Sequence, residues 1–450
     1  MIRRSIAIGL PQRGLAEMAG GAWLLRRALA VVAAKDRGAF RNAVFEDSSR
    51  HRPAVRLARA VHRVLGKGHL SSVLVAGYGL KSFLAVTPPA RRAPIVTVAA
   101  YANEKRQFAD LGAVLGREAL AAIAIDNRAL VRRAAWGALR EAIAHPRTVR
   151  RAYRIVRRIN RREGFLVACR LASTLGYFLR FARMLPAAGA RAVLVSSDSN
   201  PYAMGIRAAA KRHGMAALYV THGHIPDGPP RLDFDLSILD GPAVLEVYEE
   251  SGPVAGAVVF KGAEGRYAPM RTAGLRKERI ALGVFLSLIT DWPRLARLLA
   301  EIHRDLRPAR LILRFHPNEL VRPRNALALL GDLPGIEVSY GERVLLDDAA
   351  RCDLVIAANS SCHLTALKSG VPTVHLHGLD AVPHDFYRFL RHRMVFACER
   401  VVDIDPARIA AFYEDPDWAR RFAFFDASYP GLDCRPAVRA AIAALVPGVG

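Results

Sequence analysis

The strongest constraint on this chain is an alternation. Short apolar runs, rich in β-branched residues, recur along most of its length, and longer helical stretches separate them. Strands linked through helices pair in parallel, with the helices covering the faces of the sheet. In the first half the pattern predicts strands over residues 72–76, 95–99, 121–125, 192–196 and 216–220, and a helix from Asn200 to His213 that stops at Gly214. In the second half it predicts strands over 280–286, 310–315, 336–339, 353–357 and 373–376, with helices over 292–306, 344–351 and 360–369. Pro293 stands where a helix begins and Gly370 and Pro372 where the next one stops, each matching its backbone preference.

A chain of 450 residues is too long for one hydrophobic core. The glycine-rich run 252–274 marks a boundary. It predicts a first Rossmann-like domain over residues 1–255, with a basic helical insertion near 128–185, and a second over 275–450. Two open α/β sheets joined this way imply a cleft, because ligands bind beyond the carboxyl ends of such strands.

Charge narrows the partners. There are 66 Lys and Arg against 40 Asp and Glu, a net charge of +26. Such a surface attracts polyanions, phosphorylated substrates or an anionic leaflet. Twelve arginines fall between Arg128 and Arg162. From Arg147 to Arg162 they recur at helical spacing (Arg147, Arg150, Arg151, Arg154, Arg157, Arg158, Arg161), while Val149, Tyr153, Ile155, Val156 and Ile159 take other positions. This is a basic amphipathic helix suited to an anionic membrane surface, or else a plain solvated face. The apolar stretches near 22–34 and 165–181 are interrupted by arginines, so no transmembrane span is expected and the location is read as cytoplasmic. The five cysteines are scattered, with no CxxC pair, which speaks against a disulfide scaffold or zinc site.

Four strand ends carry chemistry. Leu313-Arg314-Phe315-His316-Pro317-Asn318-Glu319 ends a strand on a His-Pro, which places His316 at the carboxyl edge of the sheet with Arg314 on the same face. An imidazole there can donate to a phosphate. Asn359-Ser360-Ser361 leads from a strand into a helix, where serine hydroxyls and free N–H groups favour an anion. Thr221-His222-Gly223 follows another strand, and His222 is a candidate general base. Ser197-Asp198-Ser199-Asn200-Pro201 follows a fourth, and Asp198 is either a helix cap or a cleft carboxylate able to take a proton. Asp233-Phe234-Asp235 matches the Asp-x-Asp of metal-dependent transferases but reads as structural, so no metal and no cofactor is expected. The sequence contains no GxxxxGK[ST] loop, no GxGxxG after a strand and no Gly-x-Ser-x-Gly elbow, which disfavours NTPases, dinucleotide enzymes and serine hydrolases.

In their order and setting these motifs resemble bacterial GT-B glycosyltransferases of surface-polysaccharide synthesis. The nearest patterns are the capsule-type sialyl- and Kdo-transferases and the CDP-glycerol glycerophosphotransferases. The resemblance covers residues 192–240 and 280–377; residues 353–375 also look like part of the UDP-GlcNAc 2-epimerases. It implies that His316, Ser360 and Ser361 bind the phosphates of a nucleotide-sugar donor; Arg314, Pro317, Glu319, Asn359, Thr221 and Gly223, on the same strand-end motifs, are expected around that donor. It implies His222 as a candidate base, beside Asp198 from the residues themselves, and a glycan or lipid-linked acceptor. The acidic-acidic-Gly motif of the sialyltransferases is reduced here to Asp227-Gly228, preceded by Pro226. Two other readings compete: a nucleotide-sugar epimerase, which needs no acceptor, and a non-catalytic protein that binds a polyanion or membrane. Nucleic acid is not the expected partner, because no RNP1-type signature is present.

Overall fold

A computed structural model describes residues 60–125, 140, 143–162, 165–263, 267–273, 275, 279–316, 335–340 and 344–449. They build two sheets. The first comprises β1 (Val86–Thr87), β2 (Ile95–Ala99), β3 (Leu120–Ile125), β4 (Ala192–Val195), β5 (Ala216–Val220), β6 (Asp233–Leu239) and β7 (Ala255–Phe260), in the order β1-β3-β2-β4-β5-β6-β7. Only the β1–β3 pair is antiparallel. The second comprises β8 (Ala281–Phe285), β9 (Arg310–Arg314), β10 (Ile336–Ser339), β11 (Leu354–Ala357), β12 (Thr373–Leu376) and β13 (Phe396–Cys398), in the order β10-β9-β8-β11-β12-β13, all parallel. The expected α/β class with two parallel sheets is therefore what the chain adopts.

The strand order fixes where ligands belong. In the first sheet the chain winds outward from β2 to β3, then restarts on the other side of β2 with β4. In the second it winds from β8 to β10, then restarts beside β8 with β11. Each restart opens a crevice at the carboxyl ends of the two central strands, the usual ligand position in doubly wound sheets. The loops that leave β4 and β11 are Ser196-Ser197-Asp198 and Ala358-Asn359-Ser360.

Among the helices, α1 (His69–Leu84), α2 (Ala102–Leu115), α3 (Pro146–Arg162), α4 (Phe165–Ala187), α5 (Pro201–Arg212) and α6 (Pro242–Glu249) accompany the first sheet. The expected strand over 72–76 lies inside α1. Its apolar run has the right length for a strand, but burial recurs at Ser72, Val75, Gly79 and Ser82, the spacing of one helical face. That face meets α4 closely: a Cβ on Gly176 would stand 2.0 Å from the carbonyl oxygen of Gly79, so only glycine allows this crossing. The predicted basic helix exists as α3, and its Val156 and Ile159 are buried in the same core. Residues 128–139 of the basic segment lie outside the described residues. The run 252–274, expected as a linker, contributes β7 to the first sheet.

In the second half, α7 (Trp292–Leu306) shows how local rules and packing agree. Asp291 caps it by accepting from the Arg294 N–H at 3.1 Å, and Pro293 occupies its first turn. Leu295, Leu298, Leu299, Ile302 and Leu306 are buried on one face, each contributing about 1.5–3 kcal/mol of burial. Shorter helices follow: α8 (Leu345–Ala350), α9 (Cys362–Lys368), α10 (Pro406–Tyr413), α11 (Trp418–Phe425) and α12 (Arg435–Leu445). α12 returns to the first sheet, where Val438 and Ile442 pack with Leu218, Leu236 and Ile238. Among the described residues no helix is long and apolar enough to cross a membrane.

Candidate active site

The loop after β5 carries Thr221, His222 and Gly223. Thr221 is buried, and its N–H donates to the Ile238 carbonyl at 3.0 Å. Its hydroxyl turns to the same carbonyl at 3.4 Å, so Thr221 positions the loop. His222 is half-buried, and its Nδ1 lies in hydrogen-bond contact with the Ser196 carbonyl on the loop after β4. A carbonyl only accepts, so Nδ1 carries the proton and Nε2 keeps its lone pair. This is the tautomer a general base requires. Gly223 is exposed, and a Cβ there would meet no atom within 4 Å, so open space lies beside the loop.

Asp198 is 6% exposed, and its Oδ2 accepts from the Tyr248 hydroxyl at 3.0 Å. Tyr248 in turn lies 3.0 Å from the Tyr219 hydroxyl. This buried chain fastens the β4 loop to β5 and α6. Asp198 does not cap α5, which begins at Pro201 after Asn200. Asp233 and Asp235 are also engaged within the protein: Asp233 pairs with buried Arg207, and Asp235 accepts from the Ala217 N–H at 2.7 Å.

In the second sheet, His316 follows β9 and is partly exposed. Burial, then the neighbouring Arg314 charge, hold its pKa down to about 4. The ring is neutral at physiological pH and retains one N–H to donate. Arg314 itself is bound elsewhere than sequence spacing implied. Its guanidinium forms a buried ion pair with Asp348 on α8 and donates to the Ser339 hydroxyl on β10 at 3.3 Å. Arg314 therefore props the edge of the sheet under His316. Pro317 and Glu319 lie outside the described residues.

Ser360 and Ser361 sit at the second crevice. Ser360 is partly exposed, and its Oγ accepts from the Cys362 N–H at 3.4 Å. Ser361 is exposed at the N-cap position of α9 and makes no side-chain cap bond. The helix is seven residues long, so its dipole is small and the hydroxyls matter more. Asn359 is buried and faces inward. Its Oδ1 accepts from the Phe386 N–H at 3.0 Å, and its own N–H donates to Asp380 at 2.8 Å. Asp380 belongs to none of the sequence motifs. It sits beyond β12, accepts from the Ser287 hydroxyl at 2.6 Å, and so joins the loops that leave β8, β11 and β12.

The segment 384–389 ties the two carboxyl edges together. Phe386 is held by Asn359 from the second sheet, and its carbonyl accepts from the Asp227 N–H at 3.0 Å, five residues beyond His222. Arg388 is buried with φ of 62° and donates to Asp227 at 2.8 Å, to Glu246 at 3.2 Å and to Glu250 at 3.0 Å. His384 reaches Asp227 at 3.0 Å and His392 reaches Glu246 at 3.1 Å. Asp227 is thus part of an ion cluster between the halves. The loops after β5 and β11 meet at this bridge through Asp227, Phe386 and Asn359. His222, Gly223, Ser360 and Ser361 are accessible on those loops and His316 is accessible after β9, while Asp198, Thr221, Arg314 and Asn359 are buried.

Three further imidazoles are buried nearby. Burial holds His224 and His363 at about 4 and His375 at about 3. These values lie below the unfolded value of about 6.5, so the neutral rings stabilise the fold fully above that pH. Stability is lost as pH falls from about 6.5 toward 4, each unit of depression corresponding to about 1.4 kcal/mol. The urea midpoint is expected to drop between pH 7 and pH 5; an unchanged midpoint would contradict the neutral burial of these rings.

Two mostly parallel sheets, each open at a switch point and linked through residues 227, 386 and 359, define a doubly wound α/β protein. No known family's profile matches the chain, and no curated protein matches it in sequence. Among solved structures it is similar to the spinosyn rhamnosyltransferase SpnG (TM-score 0.42, 15% identity, 77% of this chain and 99% of that one). It is similar to the glycosyltransferase SnogD from Streptomyces nogalater (0.43, 15%, 78% and 100%). A putative UDP-N-acetylglucosamine 2-epimerase from Listeria monocytogenes gives 0.45 at 12% identity, over 78% and 96%. These scores express a loose likeness of architecture.

Proposed function

We propose that this protein is a metal-independent glycosyltransferase that moves a sugar, or a polyol phosphate, from a nucleotide-activated donor to a surface-polysaccharide or lipid-linked acceptor. The observation that carries the reading is the pairing of two edges. One offers His316, Ser360 and Ser361 as neutral donors; the other offers His222 with its Nδ1 anchored and its Nε2 free of that anchor. As the donor bond breaks, charge grows on the departing nucleotide phosphate, and the hydroxyls with the His316 N–H stabilise it. His222 Nε2 takes the proton of the attacking acceptor hydroxyl, and the Ser196 carbonyl steadies the imidazolium that results. The exposed arginines of α3, including Arg147, Arg150 and Arg154, hold the enzyme at the cytoplasmic face of an anionic membrane.

The test is incubation with labelled UDP-, GDP-, CMP- and CDP-activated donors in EDTA, with and without a bacterial lipid and glycan extract. Nucleotide release that requires the extract and persists in EDTA is expected. Conversion of the donor alone to an isomer would replace this reading with an epimerase.

A further inference from the structure

The loop that carries His222 has two anchors, and they belong to different halves of the chain. Thr221, at its start, is held to β6 of the first sheet. From His224 onward the loop is held by the second half. The His224 ring packs against Tyr387, Phe389 and Phe425, with centroids 5.7, 5.4 and 5.2 Å away. The Asp227 N–H donates to the Phe386 carbonyl at 3.0 Å. His222 and Gly223 lie in the step between the two anchors.

Arg388 completes the second anchor. Its Nε donates to Asp227 at 2.8 Å, and the rest of its guanidinium reaches Glu246 and Glu250 at the carboxyl end of α6. The rigid fork of donors suits several carboxylates at once, and a cation is favoured at a helix C-terminus. Tyr248 of the same helix holds Asp198. One side chain of the second half therefore touches both the loop of His222 and the helix that fixes Asp198, the two candidate bases. Its φ of 62° is a left-handed conformation disfavoured for a residue with a Cβ, and such strain persists where the surroundings enforce it.

We propose that Arg388 is a positioning residue: through Asp227 it holds the 222–228 loop against the second half and so fixes where His222 Nε2 stands. This rests on His222 as the base and deepens that reading, yet the hold on the loop is measurable without turnover. Arg391 supplies the control. It is 59% exposed and reaches Glu250 at 3.2 Å and Glu246 at 3.6 Å, so its loss removes an equal charge from the same cluster without touching the loop.

The test compares full-length parent, Asp227→Ala, Arg388→Ala, Arg391→Ala and the Asp227→Ala/Arg388→Ala double variant. Asp227→Ala leaves Arg388 paired with Glu246 and Glu250, so the fold is expected to survive in that variant, with the melting temperature as the check. Hydrogen exchange of the peptide 222–228 is expected to quicken at least tenfold in Asp227→Ala and Arg388→Ala and to stay within twofold in Arg391→Ala. At saturating donor the first two variants lower kcat at least tenfold, since a small misplacement of a reacting group is costly, while nucleotide affinity stays within threefold. The double variant falls no further than Arg388→Ala, because the two residues form one contact. A parent that releases no nucleotide would remove the transferase reading, and quickened exchange would still assign the loop to Arg388. Unchanged exchange in Asp227→Ala, an equal effect of Arg391→Ala, or quickened exchange with kcat unaltered would overturn the proposal.

Discussion

Replacing His222 by Asn is expected to lower transfer by roughly 10²–10⁴-fold, the usual contribution of a general base. Asn can still donate to the Ser196 carbonyl in place of Nδ1, so the loop keeps its anchor. It has no group equivalent to Nε2, so only the proton acceptor is removed. Nucleotide affinity should change little, since the base acts on the acceptor. The assay is nucleotide release at saturating donor, with calorimetry of the same nucleotide beside it. Activity within threefold of the parent would remove His222 from the chemistry and return the role to Asp198, whose carboxylate is otherwise tied to Tyr248.

Asp348→Ala is expected to cost about 3–5 kcal/mol of stability, because it strands a buried guanidinium. Asp348 is fully buried, Arg314 is 6% exposed, and the carboxylate also accepts from the Ser339 hydroxyl. Exchanging both charges for apolar groups in Arg314→Met/Asp348→Ala should restore most of the loss, since a buried ion pair is close to neutral against a packed apolar pair. Urea unfolding measures both variants. The double variant also separates two roles for Arg314. If the residue only supports β9, nucleotide binding survives in the refolded double variant. If it contacts the donor phosphate, binding is lost although the fold recovers.

The elements most legible in the sequence were those whose local rules and burial agree. α7 has its capping Asp291, its Pro293 and a leucine face, and it occupies the span expected. β5, β10 and β12 are short segments each followed within three residues by a glycine, and their spans also match. Residues 72–76 of α1 read as a strand because a short apolar run has no period of its own; its neighbour α4, about ninety residues on, decides which face is buried. β6 was hidden because Asp233 and Asp235 make a poor strand start, yet their carboxylates serve Arg207 and the β5 backbone. The site divides in the same way. Strand ends followed by His, Ser or Thr are visible in sequence, and so the accessible residues were found. Which of them turn inward is set by partners far along the chain: Asp348 for Arg314, Tyr248 for Asp198, and Phe386 with Asp380 for Asn359.

In the proposed complex a nucleotide's phosphates sit against His316, Ser360 and Ser361. Thermal unfolding with CMP, CDP, UDP and GDP, on the parent and on His316→Ala, tests it most directly. A ligand at 100 times its dissociation constant stabilises by about 2.7 kcal/mol, well within reach of a melting curve. One of the four is expected to raise the parent's melting temperature, and His316→Ala is expected to lose most of that rise. No shift with any nucleotide, or an equal shift in the variant, would contradict the account.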